Sequence, residues 1–509
     1  MSENDNTTGI DAKDQPSDSA TSPQHFQLVS LPYSVYNRSE KWILVGMVAV
    51  AGLFSPLPAN IYFPAIPTLA TVFHRTVEDI NLTVTIYLAM QGCSPMLWGP
   101  LSDKYGRRPL LLVCLLILVG SSLGLALCPA SAFWLLLLLR ALQAGGCAST
   151  ISLGAGVIGD IATVDERGGF FGMFNLGPML APCIGPALGG VLSEYLGWRS
   201  IFWFLAISSA ACLAMILFFL PETMRSLAGN GSRGQAGFPL GPLVHIVGPR
   251  TQPSEPSKSD ASGRPDVQKL STNPFRLLIY RDIALTLTYT GIVYAVNYTI
   301  TSTLSSSFKV TYPYLSETLL GVCYLSSGVG MILGSTITGK FFDWDYARIK
   351  LQCGAASIDS GQESITNEDA EVPIEYARLR ASPFLLLGFV ASVVGWGWCI
   401  QEKASIAAPL ILQATLGYTS IAILNSTMTL MIDLVKDQSS GVIACTNLVR
   451  CSFAALLVSL IDKATQSLGY GWTYTLLGGL SGLLLPCIYI EIRNGPKWRA
   501  ARGKADTAS

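Results

Sequence analysis

Two arginines lie where an arginine is expensive. Arg140 sits inside the apolar run Leu139-Arg140-Ala-Leu-Gln143-Ala-Gly145-Gly146, and Arg450 inside Thr446-Asn447-Leu-Val-Arg450-Cys451. In hydrocarbon each cation costs at least about 2.5–3.5 kcal/mol, so each must face a cavity or a partner. Other polar residues stranded in apolar runs mark a candidate path for a substrate: Asn60, Tyr62, Gln91, Gln143 and Asn175 in the first half, and Tyr294, Asn297, Tyr298, Tyr324, Asn425 and Asn447 in the second. Tyr294-x-x-Asn297-Tyr298 joins stacking surface to an amide. A lone Asn or Tyr in such a run also has a plainer use, as a hydrogen bond from helix to helix. No Asp or Glu occupies the middle of any apolar run. Asp103, Asp160, Asp282 and Asp433 stand at one set of run ends, and Glu317, Glu402 and Asp462 at the other. Two buried cations without a matching acid favour an anionic or neutral ligand over an organic cation. They leave Asp103 and Asp160, modulated by Arg140, as candidates for proton handling.

A second constellation is the loop Gly99-Pro-Leu-Ser-Asp103-Lys-Tyr-Gly106-Arg107-Arg108-Pro109, set between two apolar runs. Its cations suit the cytosolic end of paired membrane helices. The glycines and the carboxylate exceed what orientation alone needs, and suit a gate in which Asp103 bonds an arginine or a helix N-terminus. The simpler alternative is a topological stop signal. A weaker copy follows in Gly339-Lys-Phe-Phe-Asp343-Trp-Asp-Tyr-Ala-Arg348, aligning Asp103 with Asp343 and Arg108 with Arg348. A turn repeated at half-chain distance implies a duplicated bundle, an architecture common among transporters. A third motif, Gly185-Pro186-Ala-Leu-Gly189-Gly190, has the four-residue glycine spacing that lets helix backbones approach closely, with Gly330 and Gly334 as candidate partners.

These residues need membrane helices to position them. Half of the 509 residues are hydrophobic, 13% are charged and the mean hydropathy is +0.44, whereas a soluble domain carries roughly a quarter charged residues. A bilayer core of about 30 Å needs roughly 20 apolar residues per helix. Twelve runs qualify, about 43–65, 80–98, 109–128, 132–156, 169–192, 201–220, 284–304, 316–338, 383–400, 406–430, 441–461 and 472–490. With both termini inside, the cations on the outer side are Arg75, Arg199, Lys309, Lys403 and Lys463, against a large majority inside, which is the positive-inside bias. Asn81-Leu-Thr then faces outward as a glycan acceptor. Residues 1–41 are polar, lack an early apolar core and read as a disordered cytosolic tail. Residues 221–281, rich in Gly, Pro and Ser, read as a linker between bundles at 42–220 and 282–492, with 493–509 a second cytosolic tail.

The same composition excludes several functions. The 12 cysteines fall almost all in apolar runs and form no disulfide framework. The three histidines are scattered outside the runs, and no phosphate-binding Gly-x-x-x-x-Gly-Lys-Ser/Thr loop occurs, so neither an ATP-driven pump nor an enzyme is expected. No metal, cofactor or nucleic-acid site is expected either, since the basic residues form no patch.

The 99–109 loop resembles the signature loop of the major facilitator superfamily, Gly-x-x-x-Asp-x-x-Gly-Arg-Arg/Lys, at every defined position. Arg140-x-x-Gln143 resembles the superfamily's Arg-x-x-Gln-Gly motif, with Ala144 in place of its glycine. Gly185-Pro186-x-x-Gly189-Gly190 resembles the motif of members that export by antiport. With Gly197-Trp-Arg199, Leu220-Pro-Glu-Thr223 and Pro373-Ile-Glu-Tyr-Ala-Arg-Leu-Arg380, the chain is similar to fungal twelve-span drug/proton antiporters of the quinidine-resistance type, a group that includes organic-acid exporters. The resemblance implies an all-α membrane protein of two pseudo-symmetric six-helix bundles. It implies a monomer in the plasma membrane exporting a drug or secondary metabolite in exchange for protons, with citrate- or itaconate-like acids as the alternative cargo. A nutrient receptor that moves nothing is the alternative of another class.

Overall fold

The computed structural model describes residues 34–229, 241–244, 278–359, 374–435 and 439–508. The described residues form helices and no strand. The first half comprises α1 (Arg38–Leu53), α2 (Leu57–Asn60), a 3-10 turn (Phe63–Ala65), α3 (Ile66–Val72), α4 (Val77–Tyr105), α5 (Arg107–Ala126), α6 (Phe133–Cys147), α7 (Thr150–Ile161), α8 (Val164–Leu196), α9 (Arg199–Phe219) and α10 (Arg225–Ala228). The second comprises α11 (Arg281–Thr311), α12 (Glu317–Asp359), α13 (Ile374–Leu379), α14 (Ser382–Gln401), α15 (Ala407–Leu434), α16 (Ser439–Gly482) and α17 (Leu485–Ala508).

Ten helical stretches are long and apolar enough to cross a bilayer. One of them, Gly441–Arg499, is 59 residues, about 88 Å if it were one straight helix, far more than one crossing needs. It turns at Gly469, whose φ of 75° is a conformation that costs an L side chain but not glycine. The remaining crossing is α4, whose 29 residues carry Glu78, Asp79, Asn81, Gln91, Asp103 and Lys104 and so dilute its hydropathy. Twelve crossings result, as the apolar runs imply.

The first crossing differs from the single run expected at 43–65. Pro56, Pro58, Pro64 and Pro67 remove backbone donors, and the helix breaks into α1, α2, the 3-10 turn and α3. The break leaves the Pro58 carbonyl outside any intrahelical bond, with consequences below. By contrast α8 runs unbroken through Pro178, Pro182 and Pro186.

In the first half α5 packs between α6 and α9, α4 against α6, and α1 against α7 and α8; in the second, α12 packs on α15, α11 on α16, and α14 on both α15 and α16. Two long seams join the halves, α4 with α16 and α8 with α12. The bundle boundaries fall outside those read from composition. Glu222 and Thr223 are buried and close the first bundle, so the segment from 221 is not yet linker. Residues 38–41 are helical, and Lys41 is buried in an ion pair with Glu166 at 2.6 Å. Helix α17 carries order to Ala508 where a tail is expected. The rest of the expected N-terminal tail and most of the linker lie outside the described residues.

Candidate functional site

Arg140 is fully buried in α6. Its guanidinium carbon lies 4.3 Å from the Tyr62 ring centroid and 4.5 Å from that of Tyr87, so aromatic faces of α4 and of the broken first crossing flank it. Its Nη1 donates to the Pro58 carbonyl at 3.0 Å and to Gln143 Oε1 at 2.7 Å. The proline break thus supplies the acceptor: a carbonyl freed from the helical ladder accepts from the buried cation. Gln143 Nε2 donates onward to Ser122 at 3.0 Å, and the Tyr87 hydroxyl donates to the Ser55 carbonyl at 3.2 Å. Cation–π contacts of this desolvated kind contribute about 2 kcal/mol. Neither Tyr62 nor Tyr87 is marked by the arginine's own motif. The proline cluster and Tyr62, a polar residue in an apolar run, are the sequence signals that point to this box.

Arg450 stands differently. It is only partly buried, lies 4.8 Å from the Tyr294 ring centroid, and donates through Nε and Nη2 to Asn447 Oδ1 at 3.0 and 2.8 Å. Asn447 in turn donates from Nδ2 to the Gln91 backbone carbonyl at 2.9 Å, a bond across the α4–α16 seam. Tyr294 and Tyr298 are 5.7 Å apart between centroids, and Tyr298 lies in electrostatic reach of Arg140. Tyr298 also packs on Phe63, the residue after Tyr62, so the two arginine sites adjoin.

Of the candidate path residues, Tyr62, Gln91, Arg140, Gln143, Tyr294, Tyr298, Asn447 and Arg450 converge in this way. Asn60 is buried against α8 and donates from Nδ2 to the Pro56 carbonyl at 2.7 Å. Asn425 donates to Ser335 at 3.3 Å within the second bundle. Asn297 is partly buried on α11 and Asn175 is exposed on α8; neither joins the two-arginine group.

Aromatic rings cover this group on one side. Phe63, on the 3-10 turn, is wedged 5.7 Å from Tyr298 and 6.1 Å from Tyr324 between centroids. Beyond this aromatic plug polar links span the halves. Asn81 Nδ2 donates to Asp462 Oδ2 at 2.7 Å, the Thr318 backbone N–H to Glu194 Oε2 at 2.7 Å, and the Thr68 hydroxyl to Glu317, while Lys463 pairs with Glu78 at 3.2 Å. Asn81 is 1% exposed. This sequon is therefore interior, and a glycan has no room there: the tripeptide signal carries no information on packing.

The antiport-type motif serves both bundles. Gly185 and Gly189 admit the broken first crossing, at Asn60 and Ile61, while Pro186 and Gly190 abut Gly321 and Glu317 of α12. Gly330 and Gly334, the partners expected from sequence, pack instead on Ala414 and Tyr418 of α15. Toward the other, cation-rich end, Gly168, Gly169 and Gly172 of α8 have open space where a side chain would stand.

At that end each half pairs its charges internally. In the first half Arg107 pairs with Asp103 at 2.7 Å and with Asp160 at 3.5 Å. Arg108 is fully buried and donates from Nη2 to the Leu217 carbonyl at 2.7 Å. Gly106 has φ 107°, which ends α4 and starts α5 in one residue, and Gly99 has open space around it. The organising group is Glu222, fully buried. Its carboxylate accepts from the backbone N–H groups of Arg107, Arg108, Thr223 and Met224 at 2.9–3.0 Å, satisfying orphan donors and the positive end of α5. Asp103 thus binds within its own half rather than across the halves.

The second half does this with other residues than the aligned pair. Arg348 is exposed and stacks on Trp344 at 5.5 Å, unlike buried Arg108; the Asp343 side chain lies outside the described residues. The counterparts are Arg378 with Asp433 at 3.1 Å, Arg380 with buried Asp345 at 2.9 Å, and Arg499 with buried Glu375 at 3.6 Å. Arg378 precedes α14 as Arg107 begins α5, and Asp433 ends α15 as Asp160 ends α7.

The Major Facilitator Superfamily model matches residues 48–360. Citrate exporter 1 of Aspergillus niger is 34% identical over 472 residues, 92% of this chain and 89% of its own length. Multidrug transporter QDR2 of Candida glabrata is 32% identical over 503 residues, 94% and 84% of the two chains. Probable transporter AQR1 of Saccharomyces cerevisiae is 32% identical over 474 residues, 92% and 80%. A two-bundle helical chain bearing this loop, and matched over nearly its whole length by such proteins, belongs to the Major Facilitator Superfamily and is a membrane transporter rather than an enzyme.

Proposed function

We propose that this protein exports a small organic molecule carrying no positive charge, with an organic acid as the leading cargo, by alternating access in exchange for protons. The carrying observation is the pair of cations at mid-span. Arg140 and Arg450 occupy adjoining sites bridged by the contact of Tyr298 with Phe63, and no carboxylate pairs with either among the described residues. A carboxylate ligand would find in partly exposed Arg450 a planar donor suited to two parallel hydrogen bonds. Similarity to a citrate exporter supports this reading. The tyrosine surface of Tyr294 and Tyr298, together with similarity to multidrug transporters, favours a neutral drug-like metabolite as the second cargo. The bias of cations to one end supports both termini lying in the cytosol and the plugged end facing outward. In that orientation the structure is closed on its outer side. The plasma membrane suits an exporter of this kind.

The test is transport by purified protein in liposomes, with labelled citrate or a neutral drug inside and acid outside. Citrate efflux should accelerate with the inward proton gradient. Arg450→Ala should abolish acid efflux while sparing neutral-drug efflux. Efflux indifferent to the gradient removes proton exchange, and preferential export of an organic cation removes the cargo assignment.

A further inference from the structure

The plugged end contains a hydrogen-bond deficit that a single proton would repair. Asn81 on α4 is 1% exposed and donates through Nδ2 to Asp462 Oδ2 at 2.7 Å. Its amide oxygen, Oδ1, is buried with no donor. An ionised carboxylate only accepts, whereas a carboxylic acid accepts on one oxygen and donates from the other. Protonated Asp462 would thus close a cyclic pair with Asn81, N–H to Oδ2 and O–H to Oδ1. Exchanging the amide oxygen and nitrogen leads to the same need, since it would set two acceptors 2.7 Å apart. The buried amide is fully satisfied only when the acid is protonated, and the pair exists only when α4 and α16 are closed at this end.

We infer that Asp462 and Asn81 form a proton-linked latch: protonation of Asp462 favours closure of the plugged end. This rests on the proton-exchange reading above and deepens it. Acid on the outer side would load Asp462 in the open state and speed the return of the empty carrier to the state seen here. Asp462 is partly accessible, which lets water at that end deliver and recover the proton. The residue is a positioning group and not the carrier of the transported proton. The charged and titratable groups around it are Glu78 on α4, held by Lys463, and Tyr470 and Tyr474 on the second arm of α16. Glu194, another carboxylate linking the halves, has the opposite sign. Glu194 accepts the Thr318 N–H, and an acid accepts more weakly than a carboxylate, so protonating it loosens the end. The sign of the pH response therefore separates Asp462 from Glu194.

The experiment measures the distance between genetically encoded spin labels at Tyr195 and Tyr314. These exposed positions lie at the plugged end of the two halves. The full-length protein is in liposomes with no substrate and no gradient, so a failed transport assay leaves this readout intact. Acid should raise the closed-to-open ratio, by at most about tenfold per pH unit for one linked proton. Asp462→Asn supplies the missing donor permanently and should stay closed at pH 5.5 and pH 8. Asn81→Leu removes the deficit and should lose the pH response. A wild-type ratio that is flat or opens in acid, or an undiminished response in either variant, overturns the inference.

Discussion

Arg140 and Arg450 are the same residue at similar depth in opposite bundles, and they do different work. Arg140 is built into its frame: two tyrosine faces, one carbonyl and one amide hold it, and all belong to the first half. Arg450 is held by Tyr294 and by Asn447, and Asn447 is itself bonded across the seam to Gln91. The first cation is a post fixed within one half. The second is tied to the seam and only partly buried. Burial of a charge thus has two outcomes, set by whether its partners lie in one rigid body or in two.

The largest expected effect comes from exchanging each arginine for lysine. Arg140→Lys keeps the charge but loses the flat cation between two rings. With contacts of about 2 kcal/mol each at stake, transport should fall at least about thirtyfold. The thermal midpoint of the purified protein should fall too. Arg450→Lys should raise KM for the acid with little change in the midpoint. Equal midpoints for the two variants would break the distinction between post and ligand group. A smaller effect is expected of Asn447→Ala, which releases Arg450 and the link to Gln91. Losing a bond of about 1 kcal/mol should shift the inward–outward ratio about fivefold, read by the same pair of labels. The smallest is expected of Tyr87→Phe. It keeps the ring under Arg140 and loses the hydroxyl bond to the Ser55 carbonyl, so transport should change less than about threefold, against the loss in Arg140→Lys.

The ends of the molecule repeat the lesson. The 99–109 loop was legible because its residue types are dense and contiguous, and its charges do assemble. Its centre was not, because Glu222 lies about 115 residues away and looks like an ordinary acid after a helix. The second-half copy misled for a related reason. Matching by position along the chain pairs Arg108 with Arg348, whereas the fold makes Arg378 the counterpart of Arg107, after an insertion that lengthens α12 to Asp359. The two-arginine group shows a similar division. Tyr62, Arg140, Gln143, Tyr294, Tyr298, Asn447 and Arg450 stood out as polar residues in apolar runs, while Tyr87 read as an ordinary aromatic. Asn175 and Asn425 stood out equally and lie apart from the two-arginine group, one exposed on α8 and the other bonded to Ser335 on a neighbouring helix. Asn81 bore the tripeptide of a glycan acceptor and is instead a buried link between halves.

By itself the sequence determined that the chain crosses a bilayer twelve times in two related halves, which end is cationic, and that two arginines must find partners inside. Those follow from solvation: apolar length, charge asymmetry and the cost of a buried cation are properties of short stretches. Only the tertiary structure decided what the partners are, because they come from helices far apart in the chain. It set the Pro58 carbonyl and two tyrosines on Arg140, placed Glu222 at the start of α5, and brought Asn81 to Asp462. Such contacts depend on rotation and depth of one helix against another, and no local pattern encodes either.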